Sequence, residues 1–245
     1  MHRIWPPHEA GELDGDALER LYTYPAPPWL AVNFVSSADG AVELHGRAVE
    51  LSTAPDRQVL KLGSDLADVL LVGATTAMVE HFRGEHPDPE TAQRRQRHGL
   101  APVAPTAVVT TGRSLPEDAP VVTEALVPTI VVTTAAAPER KRRAWAEAGA
   151  EVLVTGETTV DLGRAVAELA ARGLGRIDSE GGPHLFGALL AAGVVDELRL
   201  TVSPMLVAGE AGRIATGAGI DPARLELASV VAAEDTLLAR YLLRR

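Results

Sequence analysis

The chain has 245 residues, a formal net charge of −10 and no cysteine. The length suffices for one large domain with a substantial apolar core, and the lack of cysteine excludes disulfides, thiolate metal sites and a cysteine nucleophile. The acidic balance argues against general nucleic-acid binding, which needs a basic surface. Apolar runs such as Val69–Val72 are far shorter than the roughly 20 residues that span a bilayer, and residues 1–29 lack the apolar core of a signal peptide. We expect a cytoplasmic protein that binds neither nucleic acid nor membrane.

Strand and helix patterns alternate along the chain after an N-terminal arm at residues 1–28, which contains one short predicted helix, Asp14–Leu21. Short apolar runs bounded by glycine or polar residues predict strands, and capping residues with helical apolar spacing predict helices. The predicted strands are Leu30–Ser36, Asp68–Gly73, Thr106–Thr111, Thr129–Thr133, Glu151–Val154, Arg176–Ser179, Glu197–Ser203, Ser229–Ala233 and Leu237–Leu243. The further predicted helices are one after Ser52, capped by Ser52 or Thr53, and then Thr75–Phe82, Pro138–Ala148, Asp161–Arg172 and His184–Ala192.

This alternation predicts an α/β fold with a mostly parallel central sheet flanked by helices. The last two strands are close enough in sequence to be antiparallel, which gives an antiparallel C-terminal edge. The polar, arginine-rich stretch Pro87–Pro105 is interpreted as a surface excursion. No linker divides residues 29–245, which we interpret as one domain.

The most informative segment is Glu180-Gly-Gly-Pro-His-Leu-Phe186, where a strand ends and a helix begins. Two glycines would expose backbone N–H groups at the helix N-terminus, an arrangement that binds anions, and Pro183 suits the first helical turn. The functional interpretation is a phosphate or pyrophosphate cradle, with Glu180 facing a ligand at the carboxyl end of a strand. A plain tight turn explains the same residues about equally well.

A second segment, Val72-Gly-Ala-Thr-Thr76, repeats the pattern of strand end, glycine, hydroxyl residues and helix start. Two such turns in one parallel sheet would face each other across a cleft. Ordinary helix capping by threonine is the simpler explanation for this segment alone.

A third segment, Asn33-Phe-Val-Ser-Ser-Ala-Asp39-Gly40, places polar side chains where a strand ends. Asp-Gly after a strand is first of all a hairpin turn. The clustering of Ser36, Ser37 and Asp39 also fits a ligand site, because open α/β sheets bind ligands at the carboxyl ends of their strands.

Arg113 and Ser114 follow a predicted strand and form a candidate site for a 2′-phosphate, because arginine together with a hydroxyl suits that group. A polar turn explains them equally well. The dinucleotide motif G-x-G-x-x-G, the P-loop and the G-x-S-x-G nucleophile elbow are all absent from the sequence.

Taken together, these segments resemble the reductase domain of riboflavin biosynthesis, which has the dihydrofolate reductase-like fold. The likeness extends from about Trp29 to Arg245, and the stretch Ser203–Arg213 looks most like the stand-alone actinobacterial pyrimidine reductases. The segments that carry it are Val32–Gly40, Ser52 before its helix, Ala67–Thr75, Glu180–Leu185 and Val195–Leu206.

The resemblance implies an NADPH-dependent reductase that converts the ribosyl group of 5-amino-6-(5-phosphoribosylamino)uracil to a ribityl group. It implies that Ser52 lies near the nicotinamide, and that Asp39 or Glu180 assists with the sugar hydroxyls or with a proton. The candidate cofactor-binding residues are Ser52, Gly73, Thr75, Thr76, Arg113, Ser114, Gly181, Gly182, Pro183 and Leu185. The candidate substrate-binding residues are Asn33, Ser37, Asp39 and Glu180, of which Asp39 and Glu180 are the catalytic candidates.

The chain departs from the family pattern at positions that hold the substrate's phosphate. Ala41 stands where the family often has lysine, Ser64 where it often has arginine, and Glu80-His81-Phe82 where many members have Asp-Asp-Pro. A charge-assisted hydrogen bond of the kind that these departures remove is worth about 1.5–3 kcal/mol. Arg47 or Arg83 are candidate replacements.

The sequence leaves two other functions open: a dihydrofolate reductase-like enzyme that acts on a pterin or another small carbonyl or imine, and an NADPH-binding module without catalysis. The antiparallel C-terminal edge and the family resemblance also suggest a homodimer.

Overall fold

The computed structural model describes residues 1–244, which form a single mixed sheet with helices on both faces. Across the sheet the strand order is β2-β1-β10-β11-β9-β3-β8-β4-β5-β6-β7. The strands are β1 (His2–Trp5), β2 (Gly11–Glu12), β3 (Trp29–Ser37), β4 (Val69–Gly73), β5 (Thr106–Val109), β6 (Ile130–Thr133), β7 (Glu151–Val154), β8 (Arg176–Ser179), β9 (Glu197–Ser203), β10 (Leu225–Ala233) and β11 (Thr236–Leu243).

All helices after the first connect successive parallel strands, and together the helices cover the two faces of the sheet. They are α1 (Gly15–Tyr22), α2 (Ala54–Asp65), α3 (Ala74–Val79), α4 (Pro89–Arg97), α5 (Pro120–Thr123), α6 (Glu139–Glu147), α7 (Leu162–Ala171) and α8 (Pro183–Ala191), with a 3-10 turn at Pro7–Glu9.

Strands β3 to β9 run parallel, with β3 hydrogen-bonded between β8 and β9. Strands β9, β11, β10 and β1 pair antiparallel in that order. The parallel strands therefore present all of their carboxyl ends at one edge, which is where an open α/β sheet binds ligands.

The core follows from the two-residue period of the strands. Leu30 and Val32 pack on one face of the sheet, against α7 and α8, whereas Ala31 between them packs on the other, against α1 and α2. Val108 and Val131 also reach that second face, where they pack with the fully buried Trp145 of α6. Because both faces of the parallel strands are covered, their sequences are almost continuously apolar.

The predicted α/β architecture is confirmed, including the antiparallel pairing of the two C-terminal strands. Helix capping also agrees with the sequence, since Asp14 accepts from the Ala17 N–H at 2.7 Å and Asp161 from the Arg164 N–H at 2.9 Å. Thr53 rather than Ser52 caps α2, because its hydroxyl accepts from the Asp56 N–H at 3.3 Å.

The structure adds detail to two expectations. The stretch Pro87–Pro105, interpreted as a surface excursion, contains α4, which begins directly after the capping residue Asp88. The N-terminal arm contains two strands in addition to its helix, because β1 pairs with β10 and β2 pairs with β1. The C-terminal strands are therefore antiparallel but covered by β1 on their outer side. Within residues 1–244, no helix combines the length and apolar character needed to cross a bilayer.

Candidate active site

A cleft of about 830 Å³ opens at the carboxyl edge of the parallel strands. Its walls come from the ends of neighbouring strands, with Phe34 on β3, Gly73 on β4, Val109 on β5 and Glu180 after β8. This is the edge at which the sequence places its candidate ligand-binding turns.

The two glycine-containing turns lie side by side at the centre of this cleft. The Gly73 N–H donates to the Gly181 carbonyl at 2.8 Å, and the Gly181–Gly182 peptide bond is cis. A Cβ atom at Gly182 would lie 2.3 Å from the Thr76 hydroxyl oxygen, and one at Gly181 would lie 2.9 Å from the Phe34 ring. Gly181 also has a φ of +79°, which favours glycine. Only glycines allow the two turns to pack this closely.

The backbone at the start of α8 borders the cleft, since Gly182, Pro183 and Leu185 all line it. The first N–H groups of an α-helix have no partners within the helix, and the positive end of its dipole attracts anions. The hydroxyl residues Thr75 and Thr76 line the opposite turn. The residues present therefore fit a pyrophosphate group.

The cleft continues past these turns toward the end formed by β5 and β7. This part is lined by hydroxyl and aliphatic side chains, which suit the sugar and base of a nucleotide. These residues are Val109, Thr110, Thr111, Ser114, Thr159, Val160 and Leu162.

Glu180 is half-buried in the cleft, one residue before the glycine pair. Burial, together with the negative charges of Asp178 and Glu85, raises the pKa of Glu180 to about 8, and only a hydrogen bond from Ser64 opposes this rise. The Ser64 hydroxyl donates to Oε1 at 3.1 Å. Glu180 is therefore mostly protonated near neutral pH and can donate a hydrogen bond or a proton to a ligand.

A buried charged cluster lies beneath the other end of the cleft. Asn33 donates from Nδ2 to Oδ1 of Asp178 at 2.5 Å, and the Tyr24 hydroxyl donates to the same oxygen at 2.9 Å. Burial raises the pKa of Asp178 to about 6, although Arg199 and these two hydrogen bonds act in the opposite direction. The cluster fixes Asn33, which itself lines the cleft.

Arg199 is held rigidly within this cluster. Its side chain is only 2% exposed, its Nε donates to Glu197 at 2.9 Å, and its guanidinium lies over the Tyr22 and Tyr24 rings. Burial would raise the pKa of Glu197, but Arg199 and Arg240 outweigh it and lower that pKa to about 2. The charge of Arg199 is thus committed to its buried partners.

The structure brings most of the predicted site residues together in the cleft. Those that line it are Asn33, Ser52, Gly73, Thr75, Thr76, Ser114, Glu180, Gly182, Pro183 and Leu185. Gly181 lies behind the wall and supports Gly73 through its carbonyl. Ser37, Asp39 and Arg113 are not among the lining residues.

Asp39 instead anchors a loop. Its carboxylate accepts the Ala208 N–H at 2.7 Å and the Val207 N–H at 3.2 Å, while the Ser37 hydroxyl donates to it. The Ser37 hydrogen bond is the main cause of an Asp39 pKa of about 2, with further lowering by these two N–H groups. The polar groups of Ser37 and Asp39 thus hold the segment after β9. The expectation that these two residues face the substrate stays a prediction.

Sequence reasoning did not identify several cleft residues. Asp56 and Arg57 come from the first turns of α2, whereas Arg199 comes from β9. The alternation Glu197-Leu-Arg199, which places two opposite charges on one face of a strand, was the available signal for the buried cluster.

Comparison with known proteins agrees with this site. Residues 28–238 match the family model of the RibD C-terminal domain. The chain belongs to the RibD C-terminal domain family. The family resemblance inferred from the sequence motifs is therefore confirmed.

Curated members similar to this chain are named 2,5-diamino-6-ribosylamino-4(3H)-pyrimidinone 5′-phosphate reductase. The Aquifex aeolicus protein is 31% identical over 188 residues, which cover 75% of this chain and 80% of the relative. The Methanothermobacter thermautotrophicus protein is 29% identical over 220 residues, which cover 87% of this chain and 97% of the relative.

Solved structures show the same fold at lower identity. A pyrimidine reductase-like protein from Corynebacterium diphtheriae has a TM-score of 0.81 at 22% identity, covering 93% of this chain and 99% of the other. The riboflavin biosynthesis reductase of Saccharomyces cerevisiae has a TM-score of 0.62 at 14% identity, covering 92% and 97%.

Proposed function

We propose that this RibD-family protein is an NADPH-dependent reductase of a 5-amino-6-ribosylaminopyrimidine 5′-phosphate. The observation that carries the proposal is that the glycine-lined start of α8 and the carboxyl of Glu180 open into one cleft. A cleft of this kind can hold a pyrophosphate-bearing cofactor beside a carboxyl whose raised pKa suits a proton donor. The names of the curated relatives support the substrate class.

The proposed reaction converts the ribosyl group into a ribityl group. The bond between C1′ and the ring oxygen breaks, C1′ gains a hydride, and the ring oxygen gains a proton to become a hydroxyl. When bound, NADPH supplies the hydride and leaves as NADP⁺. Such a transfer needs no protein nucleophile, but it needs close and oriented reactants in a site that limits water.

Glu180 is the residue that we assign to the proton. It lines the cleft between the pyrophosphate-binding turns and Asn33, and its raised pKa keeps the carboxyl protonated near neutral pH. A general acid works best when its pKa lies near the operating pH. Asn33, fixed by Asp178, would orient the substrate by hydrogen bonding, and Ser52 would contact the nicotinamide end.

We further propose that Ser114 favours NADPH over NADH by contacting the 2′-phosphate. Ser114 lines the nucleotide end of the cleft, and Arg113 precedes it on the same exposed loop. Arginine and hydroxyl groups together recognise phosphate by charge-assisted hydrogen bonds.

The test is a titration with NADPH and NADH followed by steady-state turnover. We expect NADPH to bind more tightly and to be oxidised in the presence of either the diaminopyrimidinone or the uracil form of the ribosyl phosphate. Oxidation only with a pterin would support the alternative reductase, and binding without oxidation by any of these substrates would support a non-catalytic module. A failure of both cofactors to bind below about millimolar concentration would refute the enzyme class.

We also propose that the protein is a homodimer that acts in the cytoplasm. Its antiparallel sheet region exposes large apolar side chains, including Ile4, Trp5, Leu225 and Leu237, each at least 41% exposed. Exposed apolar clusters often mark protein interfaces. Light scattering after gel filtration should give twice the monomer mass, and Leu237→Lys should shift it to the monomer. Fractionation of the source cells tests the location.

A further inference from the structure

The charged side chains that line the cleft indicate where the 5′-phosphate of the substrate would bind. This inference rests on the function proposed above. Besides Glu180, which carries a proton in the proposed function, Glu43, Asp56 and Glu80 contribute three carboxyl groups to the lining. A dianionic phosphate is repelled by carboxylates and requires a cation or well-placed donors. The position of available positive charge should therefore decide where the phosphate binds.

Two arginines line the cleft, Arg57 and Arg199. Arg199 is buried and forms ion pairs with Glu197, 2.9 Å from its Nε, and with Asp178, 3.6 Å from its Nη1. The guanidinium of Arg57, in contrast, is exposed and donates from one nitrogen to the Ser52 carbonyl at 2.7 Å. No ion pair joins Arg57 to a carboxylate among residues 1–244.

The two arginines suggested by the sequence as replacements are engaged elsewhere. Arg47 lies 3.4 Å from Glu80, and Arg83 forms an ion pair with Glu124. Neither arginine is among the residues that line the cleft. Both would have to leave a carboxylate partner to reach a ligand.

The place of Arg57 in the fold also separates it from the nucleotide end of the cofactor site. Helix α2 packs against β11, on the β9 side of the sheet, whereas the nucleotide end lies beyond β4, near the ends of β5 and β7. Glu180 and Gly182, from the β8–α8 connection, lie between these ends. An extended substrate with its sugar at Glu180 can therefore direct a terminal phosphate away from the nucleotide end of the cofactor and toward Arg57, which lies beside Ser52.

We propose that Arg57 is the residue that recognises the 5′-phosphate of the substrate. One nitrogen of its guanidinium is held by the Ser52 carbonyl, which orients the group and leaves other N–H donors for phosphate oxygens. In this chain one arginine at the start of α2 thus performs the task for which the family pattern supplies a lysine and an arginine at the positions of Ala41 and Ser64.

The test compares Arg57→Ala and Arg57→Lys with Arg83→Ala, a control at an exposed arginine outside the cleft. Each is assayed with the ribosylaminopyrimidine 5′-phosphate and with its dephosphorylated form. We expect Arg57→Ala to lower kcat/KM for the phosphorylated substrate about 10- to 100-fold, mainly through KM, and to change the dephosphorylated one less than about threefold. Arg57→Lys should recover part of the activity because it restores the charge.

A binding measurement that does not need turnover separates this inference from the proposed function. Ribose 5-phosphate is titrated with each variant, and broadening of its ³¹P NMR signal is recorded with ribose competition as a control. Loss of broadening in Arg57→Ala but not in Arg83→Ala supports the phosphate site, even if the wild type fails to reduce the pyrimidine. Equal broadening by wild type and Arg57→Ala, or an equal decrease of kcat/KM with both substrates, overturns it.

Discussion

Replacing Glu180 with glutamine is expected to stabilise the protein progressively as the pH rises. The Glu180 pKa lies at about 8 in the folded protein, compared with an ordinary value of 4.5. The folded state therefore binds this proton more tightly than the unfolded chain. Its stability falls as the pH rises from about 4.5 to about 8, because the ionised carboxylate is disfavoured in the half-buried site. Glutamine keeps the shape of the neutral acid and does not ionise.

The size of the effect follows from the difference between the two pKa values. A rise from 4.5 to about 8 corresponds to roughly 5 kcal/mol between the neutral and ionised forms. Water in the open cleft screens part of this free-energy difference. We therefore expect Glu180→Gln to raise the free energy of unfolding at pH 9 by about 1–3 kcal/mol. For a chain of this size the melting temperature of Glu180→Gln should exceed that of the wild type by roughly 3 to 10 °C at pH 9.

The assay is a series of thermal melts of both proteins between pH 5 and pH 9. The difference in melting temperature should be small at pH 5 and should grow through neutral pH. Glu43→Gln removes a carboxyl that is exposed on the same cleft and controls for a general decrease in negative charge. A Glu180→Gln difference that stays constant across the series would refute the burial argument.

Three further variants test other parts of the site. Gly182→Ala should weaken NADPH binding about tenfold and lower the melting temperature, because its Cβ would meet the Thr76 hydroxyl at 2.3 Å. Adding Thr76→Ala should restore much of the melting temperature. A double variant that melts as low as Gly182→Ala would contradict the clash. Asp39→Ala should speed protease cleavage between residues 205 and 224, since Asp39 holds that loop. The wild-type loop should loosen similarly as the pH falls from 3.8 toward about 2, because the Asp39 carboxylate then gains a proton. Unchanged cleavage rates would argue against the anchoring. Ser114→Asp should weaken NADPH binding roughly tenfold through repulsion and leave NADH binding unchanged, and equal effects on both cofactors would remove Ser114 from the 2′-phosphate site.

The parallel strands could be predicted because their signal is local. Val69–Gly73 and Ile130–Thr133 are apolar on both faces, since helices cover both sides of the sheet. The capping aspartates Asp14 and Asp161 likewise act within three residues of their own position. Patterns of this kind appear directly in the sequence.

Helix α4 could not be predicted from periodicity because it does not bury an apolar stripe. Its buried side chains are Thr91 and Arg95. Arg95 donates to backbone carbonyls outside α4, from Nε to Ala101 at 2.6 Å and from Nη1 to Ala67 at 2.9 Å. A helix that buries an arginine in this way looks like a polar surface segment in sequence.

The site was predictable where the backbone determines it, and less so where side chains depend on distant partners. The glycines at 181 and 182 are required by close packing against Phe34 and Thr76, so they are visible as a motif. Asp39, in contrast, accepts from N–H groups 168 and 169 residues away. An aspartate at a strand end looks the same in sequence whether it binds a ligand or a loop. Arg57 was missed because its availability depends on how other arginines are paired.

The central claim is that the cleft joins a hydride donor to the ribosyl carbon of the substrate. The most direct measurement uses NADPH carrying deuterium at the transferable position of the nicotinamide, with mass analysis of the product. We expect a ribityl product that carries the deuterium at C1′, formed by the wild type and more slowly by Glu180→Gln. A ribityl product without deuterium, or an unchanged ribosyl substrate in the presence of bound NADPH, would contradict it.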